Sequence, residues 1–162
     1  MFIELDDYAH TAGNRGWGTD ERTRGSEPVD ADQSGIRTAL ATLICTLIDW
    51  TEREDGGNYL LKPGECGGCD RHPIAVSDTA FNHSWAVDVD INTRDNPVTM
   101  GNRHGLPTHV ARVWNQYGFA WGRDYQGPKR DWMHFEFMGT PSDAIELAKA
   151  AMRELAPGTS PL

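Results

Sequence analysis

The chain has 162 residues, 38% of them hydrophobic and 24% charged, which is enough for one compact domain with a hydrophobic core. Its formal net charge of −9 and the lack of a dense lysine and arginine run argue against nucleic-acid binding and against adhesion to an anionic membrane. No stretch approaches the ~20 apolar residues of a membrane span, and the acidic start MFIELDDYAH lacks the pattern of a secretory signal peptide.

Composition and hydrophobic periodicity divide the chain into three parts. Residues 1–33 are polar and rich in glycine, which predicts an irregular N-terminal arm. Apolar residues recur with regular spacing through residues 34–156, which predicts a single folded domain. Residues 157–162 contain glycine, serine and proline and predict a tail that is either a linker or a frayed end.

The domain begins with a predicted core helix from Ser34 to about Glu54. Its apolar residues at helical spacing are Ile36, Leu40, Leu43, Ile44, Leu47 and Ile48. A short strand is predicted at Tyr59–Leu61.

The next feature along the chain is a CxxC pair, Cys66 and Cys69. The two residues are either free thiols or joined by a local disulfide. The chain has three cysteines, which excludes a zinc site with four cysteine ligands.

The second half of the domain alternates between strand and helix patterns. The predicted elements are a strand at Trp85–Ile91, a loop over 92–106, a helix from Pro107 to Gly118, a short strand at Phe119–Trp121, a polar loop over 122–130, a strand at Trp132–Met138 and a helix from Thr140 to about Leu155. This order of elements predicts an α+β domain with a small, mostly antiparallel sheet flanked by helices.

In FNHSWAVDVD, residues 81–90, Asp88 and Asp90 alternate with the apolar residues Val87 and Val89 of the predicted strand, and His83 stands just upstream. A buried carboxylate is usually paired or bound to a metal, because burying an isolated charge costs several kcal/mol. Zinc in a hydrolytic site commonly takes three ligands from histidine and carboxylate side chains. His83, Asp90 and His134 are candidates for such a set, with a neighbouring strand bringing His134 beside Asp90.

Two further carboxylates accompany His134 along the chain. Asp131 lies three residues earlier, where it could reach a water molecule at the same metal and act as the general base. Glu136 shares the strand face of His134 and could orient a ligand. Against this hypothesis, a single histidine near a strand is more often structural or exposed than a metal ligand.

These motifs resemble those of the zinc D-alanyl-D-alanine carboxypeptidase and VanY-type peptidase family, in particular its phage endolysin branch of L-alanyl-D-glutamate peptidases. The family pattern Ser-x-His-x-x-Gly-x-Ala-x-Asp is similar to FNHSWAVDVD, and its later Asp/Glu-x-x-His motif to DWMH. Collinear similarities are RHPI at 71–74, YGFAWGRDY at 117–125 and HFEF at 134–137. Together they cover roughly residues 34–155.

The resemblance implies a fold of the hedgehog and D-Ala-D-Ala peptidase type with a zinc-binding cleft. It implies one Zn²⁺ ion held by His83, Asp90 and His134, with Asp131 as the catalytic base. Arg71 falls where the family has an arginine that stabilises the oxyanion, although here His72 interrupts the usual Arg-Pro pair.

The first motif departs from the family pattern at three positions. Phe81 stands where serine is usual, Ala86 where glycine is usual and Asp88 where a small alanine is usual. Strand alternation directs Asp88 to the same side as Asp90. This extra carboxylate either lies near the metal, where like-charge repulsion would raise the pKa of neighbouring acids, or faces solvent at the rim of the cleft.

The function implied by the resemblance is zinc-dependent hydrolysis of a peptide bond in the stem peptides of bacterial peptidoglycan by a phage endolysin. We expect a monomer that is made in the host cytoplasm without a signal peptide and acts at the cell wall after release. One alternative is a peptidoglycan-binding or structural module of the same fold that has lost catalysis, which Phe81 and Asp88 suggest and Asp131 argues against. Another is an unrelated metallohydrolase with a small-molecule substrate.

Overall fold

The computed structural model of the protein describes residues 38–66, 87–99, 101–102, 104–125 and 130–158. The predicted N-terminal arm and two of the predicted site residues, Arg71 and His83, lie outside these ranges. Within them, the helices are α1 (Thr38–Glu52), α2 (Thr108–Gln116) and α3 (Pro141–Glu154). The strands are β1 (Asp88–Asp90), β2 (Val98–Thr99), β3 (Phe119–Trp121), β4 (Arg130–Asp131) and β5 (His134–Phe137).

The strands form two small antiparallel sheets, which confirms the predicted α+β class. The larger sheet has the order β1-β5-β3, so β5 is central and is paired on both edges. The smaller sheet pairs β2 with β4. In the part of the chain that the structure describes, no helix is both long enough and apolar enough to cross a bilayer.

The apolar face of the larger sheet packs against the helices. Phe135 of β5 contacts Trp114 of α2 with ring centroids 4.9 Å apart, and Trp121 of β3 stacks on Phe135 at 6.1 Å. The Trp114 indole N–H donates to the hydroxyl of Thr51 at 3.0 Å, which links α2 to α1. Phe135 is fully buried, so the opposite face of β5 is the one available for polar side chains.

The strand predicted at Tyr59–Leu61 is wrong, because side chains bind its backbone in place of a partner strand. The Leu61 N–H donates to the Glu52 carboxylate at 2.9 Å. The Leu60 carbonyl accepts from the amide of Asn92 at 2.9 Å. This segment therefore has its polar groups satisfied without a ladder.

The last helix begins as predicted and buries a narrow face of small side chains. Alanines at positions 144, 148 and 151 are buried, and α3 packs against α1. The apolar side chains of Ile145 and Met152 on the same helix are 47% and 58% exposed. Small side chains bring the two helices close together, which leaves the longer apolar side chains at the edge of the contact.

A capping box fixes the start of α3. The Thr140 hydroxyl accepts from the Asp143 N–H at 3.2 Å, and the Asp143 carboxylate accepts from the Thr140 N–H at 2.8 Å. These hydrogen bonds from Thr140 favour the ionised form and lower the pKa of Asp143. The carboxylate therefore contributes to stability in its charged form.

Asp143→Ala is expected to destabilise the protein at neutral pH and to have less effect in acid. A carboxyl group whose pKa is lowered by folding stabilises above its unfolded pKa of 3.8, and this contribution is lost as pH falls through the lower folded value. Urea unfolding at about pH 6 and about pH 3 would measure the difference. Glu146→Ala, at an exposed carboxylate on the same helix, is the control. An Asp143→Ala effect of equal size at both pH values would contradict the role of the charge.

Candidate metal centre

The pairing of β1 with β5 places acidic and imidazole side chains directly opposite each other. The register pairs Asp88 with Glu136 and Asp90 with His134. The Phe137 N–H donates to the Val87 carbonyl, and the Ile91 N–H donates to the Met133 carbonyl. Antiparallel pairs alternate, so Asp88–Glu136 and Asp90–His134 are both non-hydrogen-bonded pairs, whose side chains approach most closely.

Asp90 and His134, two of the three predicted ligands, are in direct contact. The Nδ1 atom of His134 lies 3.1 Å from Oδ1 of Asp90. The His134 side chain is 7% exposed and that of Asp90 is 23% exposed, so the pair has limited access to solvent. The sequence-based expectation that a neighbouring strand would bring His134 beside Asp90 agrees with this geometry.

Asp88 and Glu136 lie on the other side of the same imidazole. Oδ2 of Asp88 is 3.6 Å from Nε2 of His134, and Oε2 of Glu136 is 4.0 Å from it. Asp88 is fully buried and Glu136 is 2% exposed. Of the two alternatives for Asp88, the one in which it faces solvent at a cleft rim is therefore wrong, because the cross-strand register turns its side chain inward toward His134.

The carboxylates control the charge of His134. Burial alone would lower the pKa of this imidazole, but contacts with Asp90 and Glu136 and the charge of Asp88 outweigh burial and hold the pKa well above 6.5. The same environment attracts any cation. A metal ion bound at His134 would replace a proton, as metal binding at histidine generally does.

Tyr125 completes this side of the cluster and was not identified from the sequence. Its hydroxyl donates to Oε1 of Glu136 at 3.2 Å, and its ring lies 5.9 Å from that of His134. Burial raises the pKa of Tyr125 well above 10, and the charges of Glu136, Asp131 and Asp88 raise it further. The tyrosine therefore remains a neutral hydrogen-bond donor.

Asp131, the predicted general base, lies in β4 and is partly buried. Its charge acts on Tyr125, which contacts both Glu136 and His134. Gly122 packs closely on Asp131: a Cβ atom added at Gly122 would lie 3.0 Å from Cβ of Asp131 and closer still to its carbonyl oxygen. Position 122 therefore has room only for glycine, because any larger residue would clash with Asp131. In the sequence, the sole indication of this role was the position of Gly122 in the FAWGRD stretch.

The described donors fit part of a zinc site. Two atoms bound to one tetrahedral zinc ion, each at about 2.0–2.2 Å, lie roughly 3.3 Å apart. The 3.1 Å between Nδ1 of His134 and Oδ1 of Asp90 is close to that separation. Within the described ranges alone, no group of three or more histidine, cysteine or acidic side chains is arranged to hold a metal ion. The third predicted ligand, His83, and Arg71 lie outside those ranges.

The fold and this cluster define an α+β protein with a buried histidine–carboxylate centre at the middle of a small antiparallel sheet. Residues 76–137 match a family model described as D-alanyl-D-alanine carboxypeptidase, which supports the family suspected from the motifs. The matched segment contains His83, Asp90, Asp131 and His134, and Arg71 precedes it. At the level of the family, the match supports a peptidase. Comparisons with curated proteins and with solved structures gave no match.

Proposed function

We propose that the protein is a zinc-dependent peptidase that hydrolyses a peptide bond in the stem peptides of bacterial peptidoglycan, as a phage endolysin or its catalytic domain. The observation that carries the proposal is the 3.1 Å contact between His134 and Asp90, inside a segment that matches the D-alanyl-D-alanine carboxypeptidase family. Both residues occupy the motif positions that the resemblance assigns to metal ligands.

His83, Asp90 and His134 would hold one Zn²⁺ ion. Zinc supplies a Lewis acid that polarises a carbonyl group and lowers the pKa of a water molecule towards 7. The protein supplies the orientation of these ligands: the non-hydrogen-bonded pairing of β1 with β5 fixes Asp90 and His134 against each other. The central position of β5, paired on both edges, makes this arrangement rigid.

Asp131 is proposed to move the proton. As a general base it would accept a proton from the attacking water, and as a general acid it would deliver that proton to the leaving amine. Its position in β4, with the backbone and Cβ atom packed on Gly122, supports this role by fixing the point from which the side chain extends. Arg71 is proposed to stabilise the developing oxyanion, because a fixed positive charge opposite that oxygen lowers the barrier.

Digestion of purified sacculi tests the proposal. Mass spectrometry of the products should show new amino and carboxyl termini in the stem peptides and should identify whether the L-Ala–D-Glu bond, the D-Ala–D-Ala bond or the cross-link is cut. A chelator should abolish cleavage, and added zinc should restore it.

Three outcomes would contradict the proposal. Cleavage that persists in the chelator would reject zinc dependence. Binding to sacculi without cleavage, in protein that contains zinc, would favour the alternative of a binding module that keeps the fold. Cleavage of small dipeptides without cleavage of sacculi would indicate a different substrate class.

A further inference from the structure

Asp88 has no counterpart in the ligand set but lies against one of its members. It is fully buried, and its Oδ2 atom lies 3.6 Å from Nε2 of His134. The motif that this sequence resembles has a small alanine at this position, where this chain has a carboxylate. Burying an ionised carboxylate costs free energy of folding unless a hydrogen-bond donor or a positive charge compensates for it. His134 is a neighbouring side chain that can compensate for the buried Asp88.

The contacts of His134 assign different roles to its two ring nitrogens. Nδ1 lies 3.1 Å from Asp90, so it is the nitrogen that can share an ion with that carboxylate. Nε2 is directed towards Asp88 at 3.6 Å and Glu136 at 4.0 Å. A neutral imidazole carries one N–H, so if Nδ1 binds an ion together with Asp90, the N–H lies on Nε2, which faces the other two carboxylates.

We propose that Asp88 is a positioning residue for the metal centre: it attracts the Nε2–H of His134 and so presents the lone pair of Nδ1 beside Asp90. This inference rests on the proposed zinc site. Glu136 supports the same orientation from a greater distance, and its other oxygen already accepts from Tyr125 at 3.2 Å. Asp88 is the nearer of the two carboxylates to Nε2.

Zinc affinity of purified protein provides the first test. Asp88→Ala should bind zinc about 10–100-fold more weakly than wild type, which is the usual effect of removing a carboxylate that orients a histidine ligand. Asp88→Asn should recover most of the affinity, because its amide oxygen can still accept the Nε2–H. Competition with a chromophoric chelator measures these values, and Asp124→Ala, at an exposed carboxylate, is the matched control.

The ring nitrogens of His134 provide a second test that does not depend on a variant folding. In zinc-loaded wild-type protein, ¹⁵N chemical shifts should show Nε2 protonated and Nδ1 bound to the metal. The opposite assignment would overturn the inference, and so would an Asp88→Ala protein that binds zinc as tightly as wild type. Wild-type protein that binds no zinc would instead reject the proposed function itself, which separates the two failures.

Discussion

His134→Ala is expected to abolish zinc binding and peptide hydrolysis together. The substitution removes the imidazole that contacts Asp90 at 3.1 Å and leaves at most two of the three proposed ligands. Loss of the metal removes several kcal/mol of transition-state stabilisation, and each ~1.4 kcal/mol is a factor of ten, so the rate should fall by about three orders of magnitude or more. Metal content per chain and release of new termini from sacculi are the two measurements.

His109→Ala is the matched control for this substitution. His109 lies on α2, where its ring contacts the Gly57 carbonyl at 3.0 Å, and it has no place in the proposed centre. This variant should keep both zinc and activity. If His134→Ala retained zinc and cut sacculi at the wild-type rate, the assignment of His134 as a ligand would be wrong.

Loss of His134 should also change stability in a way that an exposed histidine would not. The imidazole lies among the side chains of Asp88, Asp90 and Glu136, and its charge offsets theirs. Without it, these carboxylates repel one another at short range. The variant should therefore be less stable than wild type in urea unfolding of the metal-free proteins. Because folding raises the pKa of His134, the deficit should be largest below the unfolded value of about 6.5 and should shrink as the pH rises through the higher folded value.

The sequence was most informative where side-chain alternation decides the structure. Alternation in HFEF places Phe135 and Phe137 in the core and His134 and Glu136 on the opposite face, as the structure shows. The same period in the preceding strand puts Asp88 and Asp90 on one side. Once the two strands pair, the close contact of Asp90 with His134 follows from their register.

Features made by tertiary contacts could not be predicted from local patterns. Strands β2 and β4 have only two residues each, which is too short for any period to appear. The burial of Asp88 depends on its partner strand, and the need for glycine at position 122 depends on the close approach of Asp131. Tyr125 follows a 3₁₀ turn at Gly122–Asp124, and only the folded chain brings it to Glu136.

Asp131→Asn is expected to lower kcat by about 10²–10⁴-fold while leaving zinc content unchanged, because an amide of the same size cannot accept a proton. Asp131 is not in the proposed ligand set, so the metal should remain bound. Asp124→Asn is the control, since Asp124 is exposed on the 3₁₀ turn that follows β3. Single-turnover cleavage of sacculi separates the chemical step from substrate binding, which the variant should retain. Asp131→Asn with near wild-type kcat would exclude this carboxylate as the base, and loss of zinc together with activity would indicate that it acts as a ligand instead.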